Sequence, residues 1–176
     1  MGTESIAVRE ARDADMDAVA GIYGYHVRHG VASFEYDPPN ATELRRRRDE
    51  VHARGLPYVV AERDSHLLGF AYASPFRLRP AYRYTVEDSV YVHPDSVREG
   101  IGRRLLQSVI DGCEAAGRRR LVAVIGGADE RSIAFHRKCG FEDAGRLEGA
   151  GWKHDRWLDL ALMQRALGAG TSTPPG

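Results

Sequence analysis

The stretch at residues 86–102 reads Val-Glu-Asp-Ser-Val-Tyr-Val-His-Pro-Asp-Ser-Val-Arg-Glu-Gly-Ile-Gly. Its β-branched and aromatic part, Val86–Val92, predicts a strand, which Pro94 and Asp95 end. The tripeptide Gly100-Ile101-Gly102 then opens a helix with apolar residues on one face, namely Ile101, Leu105, Leu106, Val109, Ile110 and Cys113. Exposed amides at a helix start attract anions, so this strand, glycine loop and helix indicate a ligand that carries phosphate.

The glycine loop alone is a weak signal. A tight turn explains Gly-x-Gly equally well, and the loop lacks both the Lys-Ser/Thr of a P-loop and the third glycine of a dinucleotide-binding turn. Spacing by itself therefore leaves phosphate binding and a plain turn open.

Predicted strands and helices lie on both sides of this stretch. Before it, the pattern predicts a strand at Ile6–Glu10, a helix from Asp13, a helix from Thr42 to Gly55, and a hairpin of Tyr58–Glu62 with Leu67–Ala73. After it, we expect a central strand at Leu121–Ile125, a short helix at Ser132–His136, and two final strands, from Phe141 onward and at Trp152–Met163. We expect one domain at residues 4–167 and a disordered tail at 168–176, where Thr, Ser, Pro and Gly occur without periodicity.

Composition argues against several classes of protein. The chain has 176 residues with 25 basic and 25 acidic side chains, so its formal net charge is zero, and general attraction to nucleic acid or membranes is not expected. The basic run Arg45–Arg48 lies among Glu43, Asp49 and Glu50, as on a solvated helix face. The sequence contains neither an apolar run of the roughly 18 residues that a membrane span needs nor a signal-peptide pattern, so we expect a cytoplasmic protein.

Cysteine and histidine usage argues against disulfide and metal chemistry. Cys113 and Cys139 are too few for a disulfide framework and lack a metal-binding spacing. The seven histidines form no His-Glu-x-x-His cluster, so we expect no metal site. Neither thiol has an activating neighbour in sequence, so we expect neither to be a nucleophile.

Three segments together resemble the acetyl-CoA signature of the GNAT superfamily of N-acetyltransferases, namely 89–94, 98–106 and 132–141. Two further segments, 75–87 and 151–159, resemble more narrowly the phosphinothricin and methionine sulfoximine N-acetyltransferases. The resemblance covers almost the whole chain. It implies a GNAT fold, an α/β (α+β) domain with a single mixed, mostly antiparallel sheet flanked by helices. This sheet would be splayed between the strands at 86–92 and 121–125, where acetyl-CoA enters.

The resemblance also implies the residues that bind acetyl-CoA. Backbone amides of the glycine loop would hold the pyrophosphate, and a stretch of strand backbone would pair with the pantetheine arm like an added strand. These two groups are Val97, Arg98, Glu99, Gly100, Ile101 and Gly102 for the loop, and Val90, Tyr91 and Val92 for the strand; Arg103, Asp129 and Ser132 complete the set. Val97 stands where the family usually has Gln or Arg, and Asp129 where it usually has Asn. Since loop amides do not depend on these side chains, we expect binding to be weakened at most.

Acetyl transfer needs a neutral amine, so a general base must remove the ammonium proton. The resemblance places Glu87 at the acetyl group as this base, with Asp88 as a weaker candidate; the alternative for Glu87 is a solvated carboxylate at a strand end. His136 occupies the position where many GNAT enzymes have a Tyr that protonates the departing thiolate, and the narrower family has His there. The alternative for His136 is an exposed histidine on a helix face.

Basic and aromatic residues are implied for the amine substrate. Arg77 and Arg79 lie two apart on a segment expected to be extended, so both guanidinium groups can face carboxylate or phosphinate oxygens. A solvated basic edge is the alternative. Tyr82, Phe34 and Glu35 resemble the remaining walls of the pocket.

We therefore expect acetyl transfer from acetyl-CoA, by direct attack in a ternary complex, to the α-amine of phosphinothricin, methionine sulfoximine or methionine sulfone. Two alternatives stay open. One is acetylation of another small amine or a peptide N-terminus, which shares the acetyl-CoA half of the site but not the pocket of Arg77 and Arg79. The other is a CoA-binding domain without turnover. The resemblance further implies a homodimer.

Overall fold

Seven strands form one sheet in the part of the chain that the structure, a computed structural model, describes, which is residues 5–96 and 99–175. The strands are β1 (Ala7–Glu10), β2 (Tyr58–Arg63), β3 (His66–Pro75), β4 (Thr85–Val92), β5 (Arg120–Gly126), β6 (Glu142–Lys153) and β7 (Arg156–Ala166). The helices of this described part are α1 (Met16–His29), α2 (Ala41–Ala53), α3 (Ile101–Ala115) and α4 (Glu130–Lys138), and short 3-10 turns lie at Asp13–Asp15, Pro80–Tyr82 and Pro94–Ser96. Across the sheet the order is β1-β2-β3-β4-β5-β7-β6, which puts β6 at an edge.

The sheet opens in its middle, between β4 and β5. The other neighbouring strands pair antiparallel, whereas β4 and β5 run parallel and pair over Thr85–Glu87 with Arg120–Val122. β4 continues to Val92 and β5 to Gly126, beyond the residues that pair. The predicted α/β architecture, a mixed and mostly antiparallel sheet that is splayed between these two strands, is confirmed.

The apolar face of α3 builds the core on one side of the sheet. This helix packs on β2, β3 and β4, and its predicted face is buried, with Leu105, Leu106 and Val109 fully shielded from solvent. Burying one such side chain contributes roughly 2 kcal/mol. The other face of β3 and β4 is covered by α1, against which α2 packs. The open middle of the sheet is therefore held between two packed layers.

Local chemistry sets the ends of α2 and of the β2–β3 hairpin. Asn40 caps α2 by accepting the backbone N–H of Glu43 at 2.9 Å. The helix therefore starts at Ala41, one residue before the predicted start at Thr42. The predicted hairpin of β2 and β3 is present and turns at Asp64 and Ser65, which both have positive φ as a two-residue turn requires.

The prediction that the last strand begins at Trp152 is wrong. Trp152 belongs to β6 and pairs with Trp157 of β7 across a turn at His154 and Asp155. Both turn residues have positive φ, a conformation that Asp and His accept more readily than β-branched residues do. The continuous aromatic and basic run Trp152–Trp157 hid this reversal from periodicity.

The segment predicted to be a disordered tail is described as far as residue 175. It forms turns after β7, and the backbone N–H of Gly168 donates to Glu114 Oε1 at 3.1 Å. The guanidinium of Arg119 reaches Thr173 Oγ1 at 3.4 Å and the carbonyl of Pro174 at 3.3 Å. These contacts lie on the exposed surface beside the start of β5.

Candidate active site

A cavity of about 490 Å³ lies where β4 and β5 separate. The cavity is lined by the second half of β4, the end of β5, the start of α4, the end of α1 and the loop that follows α1. The lining residues, in that order of elements, are Glu87, Asp88, Ser89, Val90 and Tyr91; Ala123, Val124, Ile125 and Gly126; Asp129, Arg131, Ser132 and His136; His26; and Gly30, Val31 and Ala32. β4 stays paired with β3 as far as Val92, but its ladder with β5 ends at Glu87, so beyond that residue the side of β4 away from β3 faces this gap. Such an open strand can accept the amide groups of an extended ligand.

Glu87 lies at the mouth of the gap, on the last residue of β4 that pairs with β5. Its side chain is partly buried. Burial, and secondarily repulsion from Asp88, raises the pKa of Glu87 to about 7, although Arg77 draws it down slightly. A carboxyl group with such a pKa is about half ionised at neutral pH and is well matched to accepting a proton from an amine.

Asp88 and His136 form a buried pair in the same cavity. His136 Nε2 lies 3.1 Å from Asp88 Oδ2, and the two side chains are 8% and 2% exposed. His136 Nδ1 lies 2.8 Å from the carbonyl of Ser132, which accepts only, so Nδ1 carries a proton. Burial acts to lower the pKa of His136, but the hydrogen bond and charge of Asp88 outweigh it, and the pKa is raised.

The burial and hydrogen bonds of Asp88 and His136 decide whether His136 is an exposed histidine and how it can release a proton. His136 is 6% exposed, which excludes the alternative of an exposed histidine on a helix face. Both ring nitrogens are engaged by protein acceptors, so a proton on Nε2 reaches another acceptor only after the hydrogen bond to Asp88 breaks. Asp88 Oδ1 is buried without a hydrogen-bond partner among the described residues. Neighbouring residues of a strand point to opposite faces, yet the opening of the sheet lets Glu87 and Asp88 line one cavity.

The glycine loop meets the start of α3 with little side-chain obstruction. Gly100 has a φ of +76° and open space where a Cβ would lie, which favours glycine. A Cβ on Gly102 would lie 3.4 Å from the ring of Phe135, so the helix start packs closely against α4. Of the other predicted loop residues, Ile101 is buried in the core and Glu99 is paired with Arg63 at 2.5 Å. Val97 and Arg98 lie outside the described residues.

Asp129 and Ser132 line the cavity from the start of α4. Asp129 caps this helix, because its Oδ1 accepts the backbone N–H of Ser132 at 2.9 Å. An Asn would cap the helix in the same way, so the departure from the usual Asn leaves this part of the fold intact. Arg103, also predicted for the cofactor, is exposed on the first turn of α3.

Arg77, Arg79 and Tyr82 line a second cavity, of about 280 Å³, and do not line the one that holds Glu87. Their segment bends at residues 76–79 instead of staying extended. The Arg77 guanidinium lies 4.3 Å above the ring of Phe76 and donates to its carbonyl at 2.8 Å. The second cavity is strongly basic, with further lining arginines Arg54, Arg83 and Arg118. The charge of Arg77 nonetheless acts on Glu87, whose pKa it lowers.

Phe34 and Glu35 lie in the loop after α1 and follow in sequence the residues at 30–32, which line the first cavity. Glu35 accepts hydrogen bonds from Tyr23 at 2.9 Å and from Arg47 at 2.6 Å. The ring of Phe34 packs so closely on Gly151 that a Cβ there would lie 2.3 Å away. Sequence reasoning assigned no role to Tyr23.

Among residues 5–96 and 99–175, no group of three or more His, Cys, Asp or Glu side chains is placed to hold a metal ion. None of the helices in those ranges is long and apolar enough to cross a membrane.

A sheet that opens between two parallel strands, with a glycine loop at a helix start beside the opening, defines a protein of the acetyltransferase class. Comparisons with known proteins agree. The sequence profile of the Acetyltransferase (GNAT) family matches residues 23–141. A phosphinothricin N-acetyltransferase from Alcaligenes faecalis is 50% identical over 169 residues, which are 96% of this chain and 86% of the relative. An L-methionine sulfoximine/L-methionine sulfone acetyltransferase from Pseudomonas aeruginosa is 34% identical over 171 residues, covering 97% of this chain and 99% of the relative.

A solved structure gives the same result. A GNAT superfamily phosphinothricin acetyltransferase from Sinorhizobium meliloti, crystallised in complex with AcCoA, matches with a TM-score of 0.95 and 46% identity. The match covers 97% of this chain and 93% of that chain. The chain belongs to the GNAT family of acetyltransferases.

Proposed function

We propose that this enzyme transfers an acetyl group from acetyl-CoA to the α-amine of a small amino-acid-like compound such as phosphinothricin, methionine sulfoximine or methionine sulfone. The observation that carries the proposal is a partly buried carboxyl group, Glu87, with a pKa of about 7, at the mouth of the gap between β4 and β5. The relatives named for phosphinothricin and for methionine sulfoximine support the choice of amine.

The gap offers backbone groups that acetyl-CoA can use. Val90–Val92 pair with β3 on one side and have no strand partner on the side that faces β5, so their backbone there is offered to the amides of the pantetheine arm. The start of α3 offers free amides to the pyrophosphate, since Gly100 leaves open space and Gly102 lacks a side chain. Asp129 and Ser132 border the same cavity. When bound there, acetyl-CoA supplies an acetyl thioester, a carbonyl activated toward amines.

In the proposed mechanism Glu87 removes one proton from the ammonium group of the substrate, directly or through a water molecule. The amine nitrogen then bonds to the acetyl carbon and loses its second proton to water, while the carbon–sulfur bond breaks and its electron pair leaves with sulfur. His136 protonates the thiolate once its hydrogen bond to Asp88 opens. A CoA thiol with a pKa of about 8.5 is a fair leaving group near neutral pH, so this acid contributes less than the base.

Arg77 and Arg79 are proposed to select the substrate. Guanidinium groups bind carboxylate and phosphinate oxygens through paired N–H donors. The basic cavity that these residues line would hold the acidic end of the compound, while the amine faces Glu87. Arg77 lowers the pKa of Glu87, so the two side chains are close enough to interact electrostatically. This supports a substrate whose acidic end binds Arg77 while its amine faces Glu87.

The test is release of free thiol from acetyl-CoA with four acceptors: methionine sulfoximine, phosphinothricin, free methionine and a peptide with a free N-terminus. We expect turnover with the first two and much lower kcat/KM with the peptide. Turnover with the peptide alone would assign the enzyme to N-terminal acetylation. Binding of acetyl-CoA without turnover on any acceptor would leave a CoA-binding domain.

We also propose a homodimer that pairs through the β6–β7 hairpin. β6 is an edge strand, and the hairpin exposes Leu147 (50%), Trp152 (46%) and Trp157 (67%). Exposed apolar groups of this size mark interaction surfaces. Sedimentation should give twice the monomer mass, and Trp157→Glu should shift it toward monomer. The free thiols of Cys113 and Cys139 suit a reducing compartment, so we place the enzyme in the cytoplasm, which cell fractionation tests.

A further inference from the structure

The loop at residues 30–36 is tied to the tip of the β6–β7 hairpin by three hydrogen bonds. His154 Nε2 lies 3.1 Å from the carbonyl of Gly30. Lys153 Nζ donates to the carbonyl of Ser33 at 2.6 Å. The hydroxyl of Tyr36 donates to the carbonyl of Trp152 at 2.6 Å. These bonds join segments more than 110 residues apart, so the hairpin sets the conformation of a loop whose first residues line the active-site cavity.

Lys153 is the unusual member of this group. It is only 3% exposed, and a buried ammonium group loses hydration that a single carbonyl restores only in part. Burial accordingly lowers the pKa of Lys153, while the carboxylate of Glu35 acts in the opposite direction. An unbranched apolar side chain would fill the same space at lower cost. A charge kept at such a site is better explained by function than by stability.

Ser33 passes the constraint on to the next two residues. Its Oγ accepts the backbone N–H of Glu35 at 3.2 Å and lies 2.9 Å from the hydroxyl of Tyr23. That hydroxyl in turn donates to Glu35 Oε1 at 2.9 Å. Between Ser33 and Glu35, the ring of Phe34 fills the space that Gly151 leaves open two residues before Lys153.

We propose that Lys153 is a positioning residue for the amine substrate, because it holds Ser33 and with it the loop whose residues 30–32 line the cavity that contains Glu87. The inference rests on the proposed function only in assigning this part of the cavity to the amine. The constraint on the loop is a property of the protein alone.

The test compares Lys153→Met with the wild type and with Arg156→Met. Arg156 is the exposed residue that pairs with Lys153 across the hairpin turn, so the control removes a cation from the same hairpin. For Lys153→Met we expect KM for methionine sulfoximine to rise about tenfold or more, because the carbonyl of Ser33 loses its hydrogen bond to a charged group. We expect KM for acetyl-CoA to stay within about twofold, because the glycine loop and the side of β4 that faces the gap are untouched. Arg156→Met should behave as the wild type.

Hydrogen exchange of the backbone amides at residues 31–36 gives a readout independent of catalysis. These amides should exchange faster in Lys153→Met and at the wild-type rate in Arg156→Met. Unchanged exchange, or an equal rise of KM for both substrates, would overturn the inference. If no amine is acetylated even by the wild type, the proposed function fails, and exchange still decides whether Lys153 orders the loop.

A second variant covers the case in which Lys153→Met does not fold. Tyr23→Phe removes the hydroxyl that joins Ser33 to Glu35 and keeps the ring in the core. It should raise KM for methionine sulfoximine and leave KM for acetyl-CoA unchanged. If this variant keeps the wild-type KM for both substrates, the inference is wrong.

Discussion

Replacing Glu87 by Gln should weaken catalysis and strengthen the fold, and both effects follow from one buried charge. Gln keeps the shape of Glu and most of its hydrogen bonding but accepts no proton from an amine. We expect kcat to fall by roughly 10²–10⁴-fold, with little change in either KM. In the wild type, kcat/KM should rise as pH passes through about 7, where Glu87 ionises. The variant should lose this inflection and keep only the rise that comes from the amine becoming neutral.

The gain in stability can be derived from the pKa. Glu87 has a pKa of about 7 in the folded protein against an ordinary value of 4.5, so the folded state binds this proton more tightly than the unfolded chain does. Below pH 4.5 the carboxyl group is protonated in both states and the raised pKa costs nothing. Between pH 4.5 and 7 the carboxyl group ionises in the unfolded chain but stays largely protonated in the folded protein, and this lowers the free energy of unfolding. Above pH 7 the full loss of about 3 kcal/mol is present.

Denaturation of the wild type and of Glu87→Gln at two pH values measures this cost. At pH 8 the variant should be more stable by up to about 3 kcal/mol, less what it costs to bury the amide, and at pH 5 by no more than about 1 kcal/mol. Glu148→Gln, on the exposed stretch of β6, is the matched control and should show no such pH dependence. Equal stability of Glu87→Gln and the wild type at pH 8, or full wild-type turnover at pH 7, would refute the reasoning and move the base to Asp88 or to bulk water.

Four further substitutions test the rest of the site. His136→Phe should lower kcat less than Glu87→Gln does, and its effect should shrink as pH rises in a pH–rate profile, because the thiolate then needs no acid; an effect that grows with pH would argue against this role. Gly102→Val should raise KM for acetyl-CoA steeply, because a branched side chain would obstruct the backbone amides at the start of α3; calorimetry that finds unchanged affinity in a folded variant would contradict the site. Arg77→Ala and Arg79→Ala should each raise KM for methionine sulfoximine by about tenfold or more and spare acetyl-CoA, whereas equal losses for both substrates would point to misfolding.

Elements with strong local patterns could be predicted from the sequence. The apolar face of α3 and the unbroken apolar run of β5 follow from periodicity, and Gly100 marks a helix start that needs positive φ. The opening between β4 and β5 did not follow from periodicity, since it depends on which strands pair, and it came instead from the resemblance to known acetyltransferases. The exact turn between β6 and β7 was missed, because His154 and Asp155 lie inside a run without glycine.

The other differences between the predicted and the observed site come from contacts between segments that are distant in sequence. Asp88 meets His136 across 48 residues, and Lys153 meets Ser33 across 120. Nothing in local sequence reports such burial, so Asp88 was read as a weaker base and Lys153 was given no role. Arg77 and Arg79 were expected on an extended segment, but the chain bends between them, so their spacing in sequence does not set the direction of their side chains.

β4 and β5 pair over a short ladder of three residues on each strand, so few backbone hydrogen bonds join the two halves of the sheet. One half, β1 to β4, joins the other, β5 to β7, through the ladder at Thr85–Glu87 and Arg120–Val122. A ligand that binds in the gap beyond this ladder and contacts both β4 and β5 would link the two halves. By mass action, a ligand present at a hundred times its dissociation constant adds about 2.7 kcal/mol to the free energy of unfolding. The thermal stability of the protein would then depend on whether the gap is occupied.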